Sequence, residues 1–224
     1  MTVAAVLTAA GSGSRLGRDL PKALVSVGGA PLVRWAASSL ASVCEHIVVT
    51  APAEHVAAFE DALAGVPARI QVVAGGGVRQ DSVALGLAAL VNLDADDSVL
   101  VHDAARPFMP VAVMGRLLAA LEHHDAVIPV LPVVDTIVTG VGADVAYLSR
   151  PSLGAVQTPQ AFRASAIRDA HARAATDGIE ATDDGYLALH YGYRLGTVEG
   201  DPLGRKITYQ EDLEALERRL STTR

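Results

Sequence analysis

The chain is short of cysteine, and this limits where it can work. Cys44 is the single cysteine among 224 residues, so no internal disulfide can form. Structural disulfides belong to oxidising compartments, and their exclusion here favours a reducing cytoplasm. We expect Cys44 itself to be a small buried residue beside a strand, which is the common role of an unpaired cysteine.

Long apolar runs and basic tracts are lacking as well. No apolar run reaches the length of a membrane span, and no basic residue precedes the apolar stretch near the N-terminus, so we expect neither a membrane partner nor a secretory signal. The formal net charge is −7, from 18 basic and 25 acidic residues. Nucleic-acid binding requires basic clusters that replace counterions along the phosphates, so the sequence also argues against a nucleic-acid partner.

Lysine is the third scarce residue. Of the 18 basic residues, only Lys22 and Lys206 are lysines. The lysine ammonium is a compact charge on a thin stem, whereas the arginine guanidinium is broad and planar. A chain that uses arginine everywhere else therefore points to these two positions as places where the compact cation matters; the alternative is that chance left two lysines there.

Apolar residues, in contrast, make up 50% of the chain, enough for a sizeable core. We expect one large domain over 1–224. Strand patterns alternate with helical patterns, which predicts a Rossmann-like, mostly parallel α/β sheet with helices on both faces. The predicted strands lie at 3–7, 46–50, 69–74, 98–102 and 126–131, and the predicted helices at 31–42, 54–64, 79–91 and 110–123.

The alternation stops at Pro132. Residues 132–153 are rich in Val, Thr and Gly, and they predict a protruding β-hairpin arm with its turn near 140–142. Two strands alone are marginally stable in water, so we expect the arm to pack on a second copy and form a homodimer; the alternative is that it folds back on its own domain. Beyond the arm the sequence predicts strands near 156–157 and at 193–198, and helices at 161–175, up to 191 and at 210–220.

The loop after the first strand consists of small residues and leads to cations. It runs Thr8-Ala9-Ala10-Gly11-Ser12-Gly13-Ser14 and is followed by Arg15, Arg18 and Lys22. Backbone N–H groups in such a loop can cradle phosphate oxygens, and the cations supply the opposite charge. The glycine spacing fits neither a P-loop nor a dinucleotide fingerprint. An ordinary turn is the alternative, but the cations favour phosphate binding.

Two more clusters follow predicted strands. Gly75-Gly76-Gly77 leads into Arg79 and Ser82; the glycines allow close backbone approach to a flat ligand, and Ser82 can bind a base edge, although a flexible turn is the alternative. Asp103 ends a strand, where open α/β sheets bind ligands. A carboxylate there suits Mg²⁺ on a triphosphate. Alternatively, Asp103 caps the next turn and pairs with Arg106.

A further group of polar residues is scattered through the second half of the chain. Each is weak evidence alone, but together they suggest a second anion pocket for a phosphorylated alcohol. The group comprises Asp135-Thr136, Arg150, Thr158-Pro159-Gln160, Thr182-Asp183-Asp184, Gly200-Asp201 and Lys206-Ile207-Thr208.

The motifs, taken in order, cover nearly the whole chain. They are A-A-G-S-G-S-R-L-G with P-K, then G-G-x-x-R-x-D-S-V, V-H-D-A-A-R-P, the D-T pair of the arm, T-P-Q, T-D-D and K-I-T. Together they resemble the 2-C-methyl-D-erythritol 4-phosphate cytidylyltransferases of non-mevalonate isoprenoid biosynthesis. Many nucleotidyltransferases share the first loop, whereas the second and third motifs are highly specific.

The resemblance implies a site for CTP, Mg²⁺ and a phosphorylated polyol. Arg15 and Lys22 would stabilise the transition state, Arg150 and Lys206 would orient the acceptor, and Asp103 would lie by the metal. The implied nucleotide-binding residues are Ala9, Ala10, Gly11, Ser12, Gly13, Gly75, Gly76, Arg79, Ser82 and Ala104. The implied acceptor-binding residues are Asp103, Arg106, Thr136, Arg150, Thr158, Thr182 and Lys206, of which Thr136 and Arg150 would reach into the partner's site.

The implied reaction joins the CMP part of CTP to the acceptor phosphate and releases pyrophosphate. With a second pKa of about 6, that phosphate is mostly ionised at neutral pH and needs no general base, so we expect His102 to be structural. Another polyol phosphate such as ribitol 5-phosphate is an alternative acceptor. A non-catalytic nucleotide-binding module is an alternative of another class, and it would not need Lys22 or Lys206.

Overall fold

A computed structural model describes residues 1–11 and 20–222. A central sheet carries helices on both faces, and a short strand pair and a hairpin lie outside it. Strands β1–β12 span Val3–Thr8, Ser26–Val27, Ala30–Pro31, His46–Ala51, Arg69–Ala74, Ser98–Asp103, Ala126–Pro132, Val138–Thr139, Ala146–Tyr147, Gly154–Val156, Gln160–Arg163 and Leu195–Glu199. Helices α1–α7 span Leu32–Leu40, Val56–Leu63, Arg79–Ala89, Val111–Ala120, Ala164–Asp177, Asp184–His190 and Gln210–Thr222.

Strand β1 lies in the middle of the sheet. It pairs in parallel with β4 and β6, and β4 pairs in parallel with β5. Beyond β6 the sheet continues through β11 and β7 to β12, and β10 also pairs with β7. Because β10 and β11 run antiparallel to their neighbours, the sheet is mixed but mostly parallel, and the predicted fold class is confirmed.

The apolar residues of β1 show why helices cover both faces. Ala5 and Leu7 pack with residues of α1, α2 and α4, whereas Ala4 and Val6 pack with residues of α3 and α5. All four side chains are fully buried. Successive side chains of a strand point to opposite faces, so an uninterrupted apolar run requires cover on each face.

The parallel strands end at one edge of the sheet. Thr8 of β1 lies opposite Thr50 of β4 and Asp103 of β6. The Gly75 N–H after β5 donates to the Ala51 carbonyl oxygen at 2.8 Å. The loops after β1, β5 and β6 therefore leave the same edge, the place where open α/β sheets bind ligands.

The helix predicted from residue 161 begins three residues later than expected. Gln160–Arg163 forms β11, in which Ala161 and Phe162 are fully buried between β6 and β7. Its partners are distant in the sequence, so the local pattern before α5 merges with the helix. This part of the secondary-structure prediction is wrong because long-range pairing overrides local periodicity.

The arm has little regular structure of its own. Strands β8 and β9 pair over only two residues each. Their turn contains Gly140 at φ +69°, where a Cβ would lie 2.1 Å from the Asp144 carbonyl oxygen, so glycine is required. Val134, Val141 and Tyr147 are each more than three-quarters exposed. The arm thus presents apolar side chains that the single chain does not cover.

Cys44 is 3% exposed, as expected, and burial raises the pKa of its thiol to about 12. A thiol this basic is unreactive at neutral pH.

Among the helices of residues 1–11 and 20–222, none has the length and apolar character needed to cross a membrane.

Candidate active site

A cavity of about 290 Å³ opens at the carboxyl edge of β1, β5 and β6. Its walls come from the loop after β1, the turn into α3, the loop after β6 and a segment before α7. The lining residues are Thr8, Ala9, Ala10, Gly11, Lys22, Ala23, Gly76, Gly77, Val78, Arg79, Ser82, Asp103, Ala104, Ala105, Lys206 and Thr208. Most of the predicted nucleotide-binding residues are among them. Ser12, Gly13 and Arg15 lie outside the described residues.

Close packing requires the glycines between β5 and α3. A Cβ on Gly75 would lie 2.5 Å from the Ala10 Cβ, and one on Gly76 would lie 2.2 Å from the Asp81 Cβ. Neither distance is compatible with two carbon atoms, so a larger residue would displace the turn. The glycines therefore allow this turn to pack tightly against the small residues after β1.

The hydroxyl of Ser82 holds the same turn. It accepts a hydrogen bond from the Gly76 N–H at 3.1 Å and donates to the Val78 carbonyl oxygen at 3.1 Å. Ser82 is only 2% exposed. Contact between Ser82 and a base stays a prediction, whereas its role in shaping the turn is visible.

Asp103 is the charged centre of the cavity. Its Oδ1 accepts from Arg79 Nε at 3.0 Å and from the Thr8 hydroxyl at 3.2 Å, and its Oδ2 accepts from Lys206 Nζ at 2.8 Å. Burial alone would raise the pKa of this carboxyl, but Arg79 and Lys206 outweigh it and hold the pKa far below its usual range. Asp103 is therefore ionised at neutral pH. Among residues 1–11 and 20–222, its ion-pair partners are these two cations and not Arg106, so the alternative pairing is wrong.

The two lysines lie against the same segment of the chain. Lys22 Nζ donates to the Ile207 carbonyl oxygen at 2.8 Å, and the neighbouring Lys206 binds Asp103. The Ile207 N–H donates to the Ala105 carbonyl oxygen at 2.8 Å, which ties this segment to the loop after β6. Both lysines line the cavity. The structure thus brings together the two positions that lysine scarcity singled out.

A buried hydrogen-bond chain supports Asp103 from behind. The Asp103 N–H donates to Thr158 Oγ1 at 3.1 Å, and Thr158 Oγ1 lies 3.0 Å from His102 Nδ1. His102 Nε2 lies 3.1 Å from the Arg106 carbonyl oxygen. A carbonyl oxygen only accepts, so Nε2 carries the ring proton and Nδ1 accepts from the Thr158 hydroxyl. Thr158, predicted to contact the acceptor, is 5% exposed and here orders the backbone of the site.

His102 is neutral in this chain of bonds. Burial lowers its pKa to about 4, even though the nearby Asp103 favours the charged form. A neutral, fully enclosed imidazole agrees with the structural role expected for it. Arg106 is also engaged internally, since its Nη1 donates to the Gly204 carbonyl oxygen at 2.7 Å.

Of the seven predicted acceptor residues, only Asp103 and Lys206 line the cavity of the single chain. Thr136, Arg150 and Thr182 are exposed. Arg150 Nη1 donates to the Val134 carbonyl oxygen within the arm at 2.8 Å. One described chain therefore assembles the nucleotide half of the predicted site together with Asp103 and Lys206, but not the arm residues.

Sequence reasoning missed the second partner of Arg79. Arg79 Nη1 donates to Asp184 Oδ2 at 2.8 Å, and His171 Nε2 lies 2.9 Å from Asp184 Oδ1. Asp184 and His171 are buried. A signal was present, because Asp184 is in helical phase with buried Leu187, and His171 is in phase with buried Ile167. Charged or titratable residues on an apolar stripe require a buried partner.

Asp103 is compatible with Mg²⁺ brought in by a triphosphate. The described residues contain no group of three or more His, Cys, Asp or Glu side chains that could hold a metal by themselves. Mg²⁺ typically takes one or two carboxylates and completes its shell with phosphate oxygens and water. A single ionised carboxylate at the cavity fits that arrangement.

Small-residue and glycine turns with two lysines and a carboxylate, at the carboxyl edge of a mostly parallel sheet, define an α/β nucleotide-binding protein of the nucleotidyltransferase class. The family model IspD, 2-C-methyl-D-erythritol 4-phosphate cytidylyltransferase, matches residues 3–221. The chain belongs to this family of cytidylyltransferases.

Individual relatives agree with the family match. The 2-C-methyl-D-erythritol 4-phosphate cytidylyltransferase of Nocardia farcinica is 45% identical, over 96% of this chain and 93% of its own length. The crystal structure of the Thermus thermophilus enzyme of the same name has a TM-score of 0.81 at 35% identity, and the match covers 99% of this chain and 100% of that one. A bifunctional IspD/IspF enzyme of Sphingopyxis alaskensis is 44% identical over 98% of this chain, which spans 55% of that enzyme.

Proposed function

We propose that this chain transfers CMP from CTP to 2-C-methyl-D-erythritol 4-phosphate. An oxygen of the acceptor phosphate attacks the α-phosphorus of CTP, the bond from that phosphorus to the bridging oxygen breaks, and pyrophosphate leaves. The products are CDP-methylerythritol and pyrophosphate. The convergence of Lys22, Lys206 and Asp103 on one glycine-walled cavity carries the proposal.

Lys22 stabilises the charge that develops on the α-phosphate, and Arg15 shares this role. Positioned cations act strongly in a partly enclosed site, where water screens them less. The acceptor phosphate is already ionised, and the neutral His102 is enclosed behind Asp103, so proton transfer is not required of any residue. Catalysis then depends on alignment and charge.

Asp103 and Lys206 act on the metal and on the acceptor. Asp103 would hold Mg²⁺, which supplies positive charge to the triphosphate and to the departing pyrophosphate. Lys206 orients the acceptor phosphate with Thr182, while the buried Thr158 and the internally bonded Arg106 hold the backbone around the site. The depressed pKa of Asp103 keeps its carboxylate charged for this task.

The arm completes the site of a second copy. Thr136 and Arg150 are exposed and do not line the cavity of their own chain, and the arm presents Val134, Val141 and Tyr147 to solvent. A homodimer through residues 132–153 covers these apolar side chains and brings the two polar ones to the partner's cavity. The protein then works as a cytoplasmic homodimer, in keeping with its single buried thiol.

Pyrophosphate release tests the reaction. Purified protein with Mg²⁺ and CTP should release pyrophosphate with 2-C-methyl-D-erythritol 4-phosphate, and ATP and GTP serve as nucleotide controls. Release with ribitol 5-phosphate instead would move the chain to another acceptor. Loss of release on chelation, restored by added Mg²⁺, would support the metal requirement.

Light scattering coupled to gel filtration tests the homodimer. We expect the mass of two chains at micromolar concentration. Replacing Val134, Val141 and Tyr147 with serine should shift the protein to monomers. A wild-type monomer that turns over at full rate would contradict the dimeric site.

A further inference from the structure

A line of five contacting side chains begins in the cavity and ends between α5 and α6. Lys206 Nζ lies 2.8 Å from Asp103 Oδ2, and Asp103 Oδ1 lies 3.0 Å from Arg79 Nε. Arg79 Nη1 lies 2.8 Å from Asp184 Oδ2, and Asp184 Oδ1 lies 2.9 Å from His171 Nε2. Lys206, Asp103 and Arg79 line the cavity, whereas Asp184 and His171 do not.

Asp184 is a buried charge that makes no contact with the cavity. Its side chain is 1% exposed. Burial of a carboxylate is costly, and for folding alone an apolar replacement of a buried ion pair is often neutral or stabilising. Burial opposes ionisation of Asp184, but Arg79 and His171 outweigh it and lower its pKa. The requirements of folding alone therefore do not account for this buried charge.

Arg79 is held at two points of its guanidinium. Nε donates to Asp103 and Nη1 donates to Asp184. Nη2 is buried and has no hydrogen-bond partner among residues 1–11 and 20–222. The orientation of the guanidinium, and with it the position of the Asp103 carboxylate, rests on the two carboxylates together.

His171 in turn orients Asp184. An ionised carboxylate only accepts, so His171 Nε2 carries a proton and donates it. His171 Nδ1 is buried without a hydrogen-bond partner in the described part of the chain. The hydrogen-bonding role of the ring is therefore directed at Asp184.

We propose that Asp184, oriented by His171, is a positioning residue for the transferase reaction. It holds Arg79 extended between two carboxylates, so that one oxygen of Asp103 remains with Lys206. Without this anchor the planar guanidinium of Arg79 is able to turn and take both oxygens of Asp103, which displaces Lys206. The inference rests on the proposed function, because Lys206 is there assigned to the acceptor phosphate.

Asp184→Asn is the primary test. The amide keeps the shape of the side chain, but only its oxygen accepts hydrogen bonds, because its nitrogen is a donor. Asparagine can therefore not accept from Arg79 on one side and from His171 on the other. We expect kcat/KM for the acceptor to fall about 10- to 100-fold, as for other residues that orient a functional group. The KM for CTP should change less than kcat/KM for the acceptor, because the glycine turn and the loops after β1 and β6 stay in place and Arg79 alone among the lining residues is released.

Asp97→Asn is the matched control. Asp97 is also a buried carboxylate, 7% exposed, and it accepts from the backbone N–H groups of Thr2 and Asp94 at the opposite end of β6. This variant should lose stability without a change in either KM or in kcat. If Asp184→Asn behaves in the same way, the positioning role is overturned.

A double-mutant cycle shows whether Asp184 acts through Arg79. Once Arg79→Gln has removed the guanidinium, adding Asp184→Asn should cost nothing further in kcat/KM for the acceptor. Losses that multiply would overturn the proposal. If Asp184→Asn does not fold, His171→Leu takes its place in the same cycle. We expect His171→Leu alone to lower kcat/KM for the acceptor by a smaller factor. Added to Arg79→Gln, it should again cost nothing further.

The wild-type chain assayed alongside separates the two claims. If the wild type releases no pyrophosphate from CTP with the acceptor, the proposed function fails. The cycle is then repeated with a binding readout, the Kd for 2-C-methyl-D-erythritol 4-phosphate measured by calorimetry, in which binding depends on Lys206. If the wild type is active and the losses multiply, the positioning role alone fails.

Discussion

The cavity and the arm are two parts of one proposed site that are built in opposite ways. In the cavity, Asp103 is bound by two cations and a hydroxyl, and its backbone is supported by a buried chain of hydrogen bonds. In the arm, two strands pair over two residues each, and Arg150 bonds only within the arm among its described contacts. One region is ordered by its own chain, and the other exposes groups that its own chain does not use.

The difference shows which part of the proposed site a single chain can complete. The cavity is organised before substrate arrives, because its charges are paired and its glycines are held by packing. The arm lacks the buried area that would order it, since Val141 and Tyr147 are 86% and 77% exposed. In the proposed homodimer, the arm gains its position from contact with the partner chain.

The largest effect is expected from the cavity, on replacing Lys22. Lys22→Ala should lower kcat by about 10²- to 10³-fold, the usual loss when one positioned donor to a developing charge is removed. The dissociation constant of CTP, measured by calorimetry, should change much less. Arg34→Ala is the control, because Arg34 is absent from the cavity lining and donates to the Ala62 and Ala64 carbonyl oxygens at the end of α2. Equal kcat in Lys22→Ala and wild type would remove the transition-state role.

Acid should lower the stability of the folded chain through protonation of His102, which lies behind the cavity. Its pKa of about 4 in the folded state lies below the ordinary 6.5, so between these values the unfolded chain binds a proton that the folded chain does not. The stability contributed by the neutral ring is therefore complete above pH 6.5 and is lost towards pH 4, by about 3 kcal/mol. Urea unfolding across this range measures the loss. His102→Gln should flatten the slope, and an unchanged slope would show that other groups cause it.

The central strands were predictable because they are buried on both faces. Val3–Thr8, His46–Ala51 and Ser98–Asp103 were each predicted to within one residue. Such strands are continuous apolar runs bounded by polar or glycine residues, which local sequence reveals. Strand β11 was missed because its two partners, β6 and β7, become neighbours only in the folded sheet.

The candidate site divides along the same line. The loops that follow strands have a recognisable composition, so Gly76, Asp103 and the two lysines were predicted from the sequence. The partners of their side chains were not, because the contacts of Arg79 with Asp184 join helices that are distant in sequence. Thr158 shows the limit most clearly: its place near the site was foreseen, but its buried bonds to His102 and Asp103 were not.

Mixing two variants of low activity tests whether the arm of one chain serves the cavity of the other. Arg150→Ala should lower turnover about 10- to 100-fold by misorienting the acceptor. In a mixed dimer of Lys22→Ala and Arg150→Ala chains, one site then combines an intact Lys22 with an intact Arg150 from the other chain. A 1:1 mixture after subunit exchange should recover about a quarter of wild-type activity.

The recovery depends on exchange and on the arm reaching across. Each variant alone provides the baseline, and mass spectrometry of the intact dimers confirms that exchange has occurred. If mixed dimers form and activity stays at the baseline, Arg150 serves its own chain. The contrast between a self-contained cavity and a donated arm would then be wrong.

The smallest effect is expected from Gly76→Ala, which tests whether the cavity depends on packing as tightly as its geometry indicates. The added Cβ would lie 2.2 Å from the Asp81 Cβ at the start of α3, so the turn must move. We expect the KM for CTP to rise about tenfold, a change of roughly 1.4 kcal/mol, with kcat nearly unchanged because Lys22 and Lys206 are on other loops. Gly115→Ala on α4 is the control. The added Cβ would meet nothing within 4 Å, so this substitution should slightly stabilise the helix. If both substitutions leave the KM for CTP at the wild-type value, the turn adapts, and order in the cavity comes from its ion pairs rather than from its glycines.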